Sequence, residues 1–156
     1  MIRYSLATAA DAPLIHQMLV EMAAAEAATI NASPAILLEH GFGLTPRFRT
    51  VLAHNGETPL GFCLFLPEYS SWRGMMGLFV QDIYLRPDAR GKGLGKGLLA
   101  AAWQAASDWS PEFLSLNVKR SNTAAIGFYQ SLGFTLRDST DPLILTGEGL
   151  AALTTP

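Results

Sequence analysis

Between residues 75 and 109 the chain passes from an apolar strand pattern to an Ala/Leu-rich helix pattern. The junction is eight residues long, Arg90-Gly91-Lys92-Gly93-Leu94-Gly95-Lys96-Gly97. Four of the eight are glycine, and three of the other four are basic. Glycine admits positive φ and lets several backbone N–H groups approach one ligand with no side chain in the way. A helix starting near Leu94 points its positive dipole end at the same spot. The junction therefore reads as a pyrophosphate cradle. Its spacing excludes a Walker A loop, because Lys96 is followed by Gly97 and position 90 is arginine. It also departs from the dinucleotide fingerprint, giving Gly-x-Gly-x-Gly far along the chain instead of Gly-x-Gly-x-x-Gly near a first strand. What remains is Arg-x-x-Gly-x-Gly, at Arg90, Gly93 and Gly95. Alone, the run also fits a flexible surface turn; its flanks favour the cradle.

The 156 residues suffice for one domain with its own core. The net charge of −2 argues against a nucleic-acid binder relying on bulk charge and permits a cationic substrate. No apolar stretch is long enough to span a bilayer, and the start of the chain shows no signal-peptide pattern, so a cytoplasmic location and no membrane partner are expected. The single cysteine, Cys63, excludes an internal disulfide and, within an apolar run, reads as packing. His16, His40 and His54 are scattered without metal-ligand spacing, so no metal is expected.

Ile2 to Leu6 reads as a strand. Thr8-Ala-Ala-Asp11 is a variant capping box that predicts a helix from about Ala9, with Pro13 in its first turn and a stripe of Leu14, Met18 and Met22 beside Ile15 and Leu19. Ser33-Pro34 starts a second helix, expected to stop at Gly41 as a C-terminal glycine. Strands follow over Phe48–His54 and Leu60–Leu66, joined through Asn55-Gly56 and a loop to Pro59. Residues 67–74 read as a loop and Met75–Leu85 as a long apolar strand. The cradle leads into a helix from Leu94 to about Trp109, then a strand over Phe113–Val118. Ser121 or Asn122 caps a helix ending near Leu132-Gly133. Phe134–Arg137 and Leu143–Thr146 form a last pair of strands, and Thr146 caps a short terminal helix. The order β-α-α-β-β-β-α-β-α-β-β describes an α/β (α+β) chain of about seven strands in a mixed sheet, one domain over 1–156.

Two further segments bear on the ligand. Val80-Gln81-Asp82-Ile83-Tyr84-Leu85-Arg86-Pro87 feeds straight into Arg90. Such a strand can bond an extended arm through its backbone, as a neighbouring strand would, and splaying from the next strand would free N–H groups for a thioester oxyanion. Read alone, it is also an ordinary central strand. Asn122-Thr-Ala-Ala-Ile-Gly-Phe-Tyr129-Gln-Ser-Leu-Gly133-Phe134 places a tyrosine on a helix. A phenol of ordinary pKa about 10 suits protonation of a departing thiolate.

Arg-x-x-Gly-x-Gly together with Asn122, Tyr129, Gly133 and Phe134 resembles the acetyl-CoA signature of the GNAT N-acetyltransferase superfamily. Over nearly the whole chain the likeness extends to its diamine (spermidine/spermine-type) branch. Ala7-Thr8-Ala9-Ala10-Asp11, Leu37-Leu38-Glu39-His40-Gly41-Phe42-Gly43, Tyr69-Ser70-Ser71-Trp72-Arg73-Gly74 and Gln81-Asp82-Ile83-Tyr84-Leu85 carry it. The resemblance implies the GNAT fold and acetyl-CoA as co-substrate. It implies that Ile83, Tyr84 and Leu85 run along pantetheine, that Arg90, Gly91, Lys92, Gly93, Leu94, Gly95 and Lys96 hold the pyrophosphate, and that Asn122 through Ala125 line the CoA exit. Tyr129 would contact CoA and act as general acid. Gln81 and Asp82 would be catalytic and substrate-facing, with Glu26, Asn117 and Asp141 also on the acceptor side. A homodimer is implied as well.

Three departures stand out. Gln81 replaces the first acid of the branch's Glu-Asp pair, Ala25 replaces an aromatic before Glu26, and Asp141-Pro142-Leu143 stands where polyamine-type members show Gly-Trp. The expectation is therefore acetyl transfer from acetyl-CoA to a primary amine of a diamine, polyamine or amino-acid-like small molecule, by direct attack. The alternatives are a protein lysine or N-terminal acetyltransferase, and a non-catalytic CoA-binding module.

Overall fold

Local signals set most element boundaries. A computed structural model describes residues 1–137, 143 and 145–154. They fall into two units, Met1–Asn117 and Val118–Pro156, described in turn.

In the first unit, β1 (Ile2–Leu6) leads to the Thr8–Asp11 corner, where the Asp11 carboxylate accepts from the Thr8 N–H at 2.7 Å and the Thr8 hydroxyl at 2.9 Å. The corner begins as a short 3₁₀ turn over Ala9–Asp11, so α1 spans Ala12–Ala24 rather than starting at Ala9. The expected stripe is its buried face: Ile15 and Met18 are fully buried. Ser33 caps α2 (Pro34–Phe42), accepting from the Ile36 N–H at 3.2 Å. Gly41 does not end this helix. It lies inside it, buried, where a Cβ would run into the Phe48 ring; the absent side chain serves close packing.

Next come β2 (Arg49–Asn55), β3 (Thr58–Ser70) and β4 (Met75–Leu85), antiparallel in sequence, with Gly56 at φ +59° in the β2–β3 turn. β3 runs on through Ser70 because Pro67–Ser70 pair with Met75–Leu78, so half of the expected 67–74 loop is strand. α3 (Leu94–Ala105) then crosses back to β5 (Phe113–Leu116), which pairs with β4 in parallel. The sheet has the order β1-β2-β3-β4-β5, mixed and five-stranded. One face buries Leu52, Phe62, Leu64 and Tyr84 against Ile15, Met18 and Leu19 of α1 and Leu37 of α2. The opposite face carries Val51, Cys63 and Phe65, with α3 supplying Leu98, Leu99 and Ala102. Arg49 ties the end of α3 to β2, reaching the Ala105 carbonyl at 2.7 Å and Asp108 at 2.6 Å.

In the second unit, Asn122 caps α4 (Thr123–Ser131), Gly133 follows at φ +95°, and α5 spans Gly147–Thr154. The expected sheet of about seven strands is not found: among the described residues it has five. Phe134–Arg137 are not strand, nor are 143, 145 and 146; the remainder of that stretch, 138–142 and 144, lies outside the described residues. Alternating apolar residues make a strand only where a partner accepts their backbone bonds. Among the described residues, no helix is long and apolar enough to cross a membrane.

Candidate active site

The parallel pairing of β4 and β5 runs from Gly77–Phe113 to Val80–Leu116 and stops. β4 continues for five more residues. Past Val80, its β5-side edge has no strand partner among the described residues. Its other edge stays paired with β3, but Leu64 faces Asp82 while Phe65 faces Val80, which makes Gln81 an extra residue in a β-bulge. The Arg86 N–H donates to the Leu60 carbonyl at 2.9 Å. Strand alternation therefore turns the backbone groups of Tyr84 and Asp82 toward β3, and those of Ile83 and Leu85 toward the open edge. Just before the strands part, the Ser115 hydroxyl donates to the Glu68 carboxylate. This bond ties β5 to β3 across β4.

The open edge runs directly into the cradle. After a 3₁₀ turn over Pro87–Ala89, Gly91 and Gly93 adopt φ +72° and +76°, and Gly93 is the N-cap of α3. No side chain caps this helix and its first turn has no acid. Its first bond is Gly97 N–H to the Gly93 carbonyl at 3.4 Å, so the N–H groups of Leu94, Gly95 and Lys96 have no intrahelical acceptor. Arg90, Lys92 and Lys96 are exposed around it. Oriented donors and a helix dipole, with basic side chains nearby, suit this helix start to an anion.

Asp82 is half-buried, and burial pushes its carboxyl above the usual carboxylate range. Gln81 beside it is exposed. Cys63, opposite Ile83, is fully buried; desolvation first, and the charge of Asp82 second, push its thiol up to about 12. It is a packing residue and not a thiolate nucleophile.

A cluster absent from the sequence reading fixes the far end of β4. Arg86 forks onto Glu21 of α1, with Nη2–Oε1 at 2.9 Å and Nε–Oε2 at 3.0 Å, and donates through Nη1 to the Pro59 carbonyl at 2.9 Å. The Tyr84 hydroxyl reaches Glu21 at 3.4 Å. The hydrogen bond from Arg86 holds the Glu21 carboxyl below its ordinary value, while burial, then the charge of Glu21, raise the Tyr84 phenol. Because the folded Glu21 pKa is depressed, the pair's contribution is present above the unfolded glutamate pKa and is lost as pH falls through the folded one. R86M is therefore expected to cost about 1–2 kcal/mol at pH 7, with the deficit shrinking below about pH 4, in urea unfolding at both pH values.

The other expected residues take varied places. Glu26 is exposed in the turn after α1, and Asn117 is exposed just beyond β5. Both lie in the first unit, with Gln81–Leu85 and Arg90–Lys96. Asn122, Ala125 and Tyr129 lie in the second unit. The Asn122 side-chain oxygen accepts from the Ala125 N–H at 3.2 Å, so it caps its own helix. Tyr129 is half-buried, its ring 5.2 Å from that of Phe128 and 5.5 Å from that of Phe134. Asp141 lies outside the described residues.

Comparison with known proteins bears on the family and the fold. Residues 16–134 match the model of the Acetyltransferase (GNAT) family. The chain is 30% identical over 112 residues to a thialysine N-epsilon-acetyltransferase of Bos taurus, covering 67% of this chain and 65% of that protein. It is 33% identical over 99 residues to an L-ornithine N5-acetyltransferase of Arabidopsis thaliana, covering 64% and 43%. The matched segment is thus under two thirds of either relative's length. In fold, the chain superposes on an integron cassette protein from the mobile metagenome of V. cholerae with a TM-score of 0.80 at 19% identity, covering 99% of this chain and 98% of that one. With a family match over most of its length, the chain belongs to the Acetyltransferase (GNAT) family, whose members take their acetyl group from acetyl-CoA.

Proposed function

We propose that this protein transfers acetyl from acetyl-CoA to a primary amine of a small diamine, polyamine or amino-acid-like molecule, by direct attack of the amine. The observation that carries the reading is the open edge of β4 at Ile83–Leu85 running into an uncapped, basic, glycine-turned helix start. A peptide-like arm bonded at the edge and a pyrophosphate at the helix start require that pairing of features. The residues of the first unit fit the co-substrate: Ile83, Tyr84 and Leu85 would flank the pantetheine arm and Gly91 through Lys96 the pyrophosphate; the resemblance alone assigns Asn122 and Ala125 to the CoA exit. Acetyl-CoA supplies the activated acetyl group.

On the acceptor side, an alkylamine has a pKa of about 10 and must lose a proton to attack. Asp82 is the group to take it, directly or through water, because burial has raised its pKa toward that task. Gln81 cannot take a proton and orients the amine or a water. Backbone N–H groups at the bulge and at Ile83 stabilise negative charge developing on the thioester oxygen. Tyr129 protonates the leaving thiolate, a role supported by its place in the Asn122–Phe134 segment. Glu26, Asn117 and Asp141 complete the acceptor side. We read the chain as one N-acetyltransferase domain acting in the cytoplasm, and the resemblance supports a homodimer.

Thiol release from acetyl-CoA against polyamines, dibasic amino acids, aminoglycosides and short lysine peptides tests the reading. Saturable turnover with a small amine is expected. Preference for the peptides would make the chain a protein acetyltransferase, and tight acetyl-CoA binding in calorimetry with no turnover across the panel would make it a binding module. G93A puts an alanine at φ +76°, a strained position for any residue with a Cβ. It is expected to raise KM for acetyl-CoA roughly tenfold while leaving KM for the amine unchanged.

A further inference from the structure

The Arg90 side chain does not extend toward the glycine turn. Its Nε donates to the Leu85 carbonyl at 2.9 Å, and its guanidinium lies 5.8 Å from the centre of the Tyr84 ring. Leu85 is one of the two residues whose backbone groups face the open edge of β4. Of the four edge groups there, one carbonyl is therefore already taken. The groups left to an incoming arm are the N–H and carbonyl of Ile83 and the N–H of Leu85.

From this geometry we infer that Arg90 is a positioning residue for the acyl-carrying arm and not a phosphate ligand. The inference rests on the acetyl-CoA reading above and assigns one residue of that site a different part. By capping Leu85, Arg90 removes an acceptor that would admit a second register of the arm, two residues along the strand. It also ties the turn that begins the cradle back to the strand that precedes it, so edge and cradle keep one spacing. Lys92 and Lys96, with the first-turn N–H groups, remain for the pyrophosphate. A neutral donor of similar reach would serve the capping role, because the acceptor is an uncharged carbonyl. A phosphate contact would need the charge.

Acetyl-pantetheine, which lacks the nucleotide and its phosphates, separates the two roles. In this chain, R90M is expected to lower kcat/KM for acetyl-pantetheine and for acetyl-CoA by the same factor, roughly three- to tenfold. Competitive inhibition by 3′,5′-ADP and by inorganic pyrophosphate should keep its wild-type Ki. R90Q should recover most of the loss. A Ki that rises in R90M while acetyl-pantetheine turns over as in wild type would make Arg90 a phosphate ligand and overturn the inference. Unchanged kinetics with both donors would overturn it too. Thermal melting of each variant checks that the fold survives. Wild-type protein that turns over neither donor would instead remove the acetyltransferase reading itself, which keeps the two failures apart.

Discussion

Y129F is expected to lower kcat roughly ten- to a thousandfold in thiol release, with KM for acetyl-CoA changed by less than about twofold. The substitution removes one oxygen and keeps the ring, so the contacts with Phe128 and Phe134 at 5.2 and 5.5 Å are retained. Loss of rate without loss of fold then reports on the hydroxyl alone. The physical reason for a large effect lies in the leaving group. A thiolate expelled into a partly desolvated site is costly unless protonated as it leaves, and a phenol with a pKa of about 10 is matched to that proton. A thioester of a more acidic thiol needs less help, so the Y129F deficit should narrow with such a donor. Wild-type kcat in Y129F across pH 6–9 would reduce Tyr129 to a packing residue of α4. The melting temperature of the variant, measured alongside, separates a chemical deficit from a structural one.

How much of this was legible beforehand depended on the range of the interaction behind each feature. The glycine turn was readable because its requirements are local: positive φ at Gly91 and Gly93, and an uncapped helix start immediately after. Met75–Leu85 was readable because an apolar run between turn residues is a strong short-range pattern. The Asn122 cap followed from its own helix. The bulge was not legible, because an extra residue at Gln81 exists only relative to the register of β3. The Glu21–Arg86 fork joins residues 65 apart, and nothing near either one announces the other. β3 runs past the expected Leu60–Leu66 because pairing with Met75–Leu78 carries it through Pro67 and Ser70, which look like turn residues. Gly41 shows the opposite error: a glycine near a helix end suggested a terminus, whereas the Phe48 ring required the missing Cβ. The role of Arg90 follows the same rule. Its place in the Arg-x-x-Gly-x-Gly run points to phosphate, and only the fold brings its Nε to Leu85.

G97V is expected to destabilise the protein by about 3 kcal/mol, a fall in Tm of roughly 6–12 °C for a chain of this size. A Cβ on Gly97 would fall on the phenol end of Tyr4 in β1, and valine adds two methyls beyond it. Tyr4 is half-buried and its hydroxyl reaches the Leu94 carbonyl at 3.5 Å, so turning the phenol aside gives up that contact. Relief comes from the phenol turning aside or from the first turn of α3 moving off the sheet. That turn holds the Leu94, Gly95 and Lys96 N–H groups, and Gly97 makes the helix's first bond to Gly93. The variant should therefore raise KM for acetyl-CoA even at temperatures where it is fully folded. Y4A in the G97V background removes the obstruction and should recover most of the lost stability. Y4A alone separates the clash from the contact. If Y4A raises KM for acetyl-CoA in otherwise wild-type protein, Tyr4 itself seats the helix start at the depth the cradle needs. If it leaves KM unchanged, glycine at position 97 matters only because its neighbour is large. No loss of stability in G97V would mean that the first turn of α3 can move away from β1 at little cost, and the close approach would then have no part in placing the cradle.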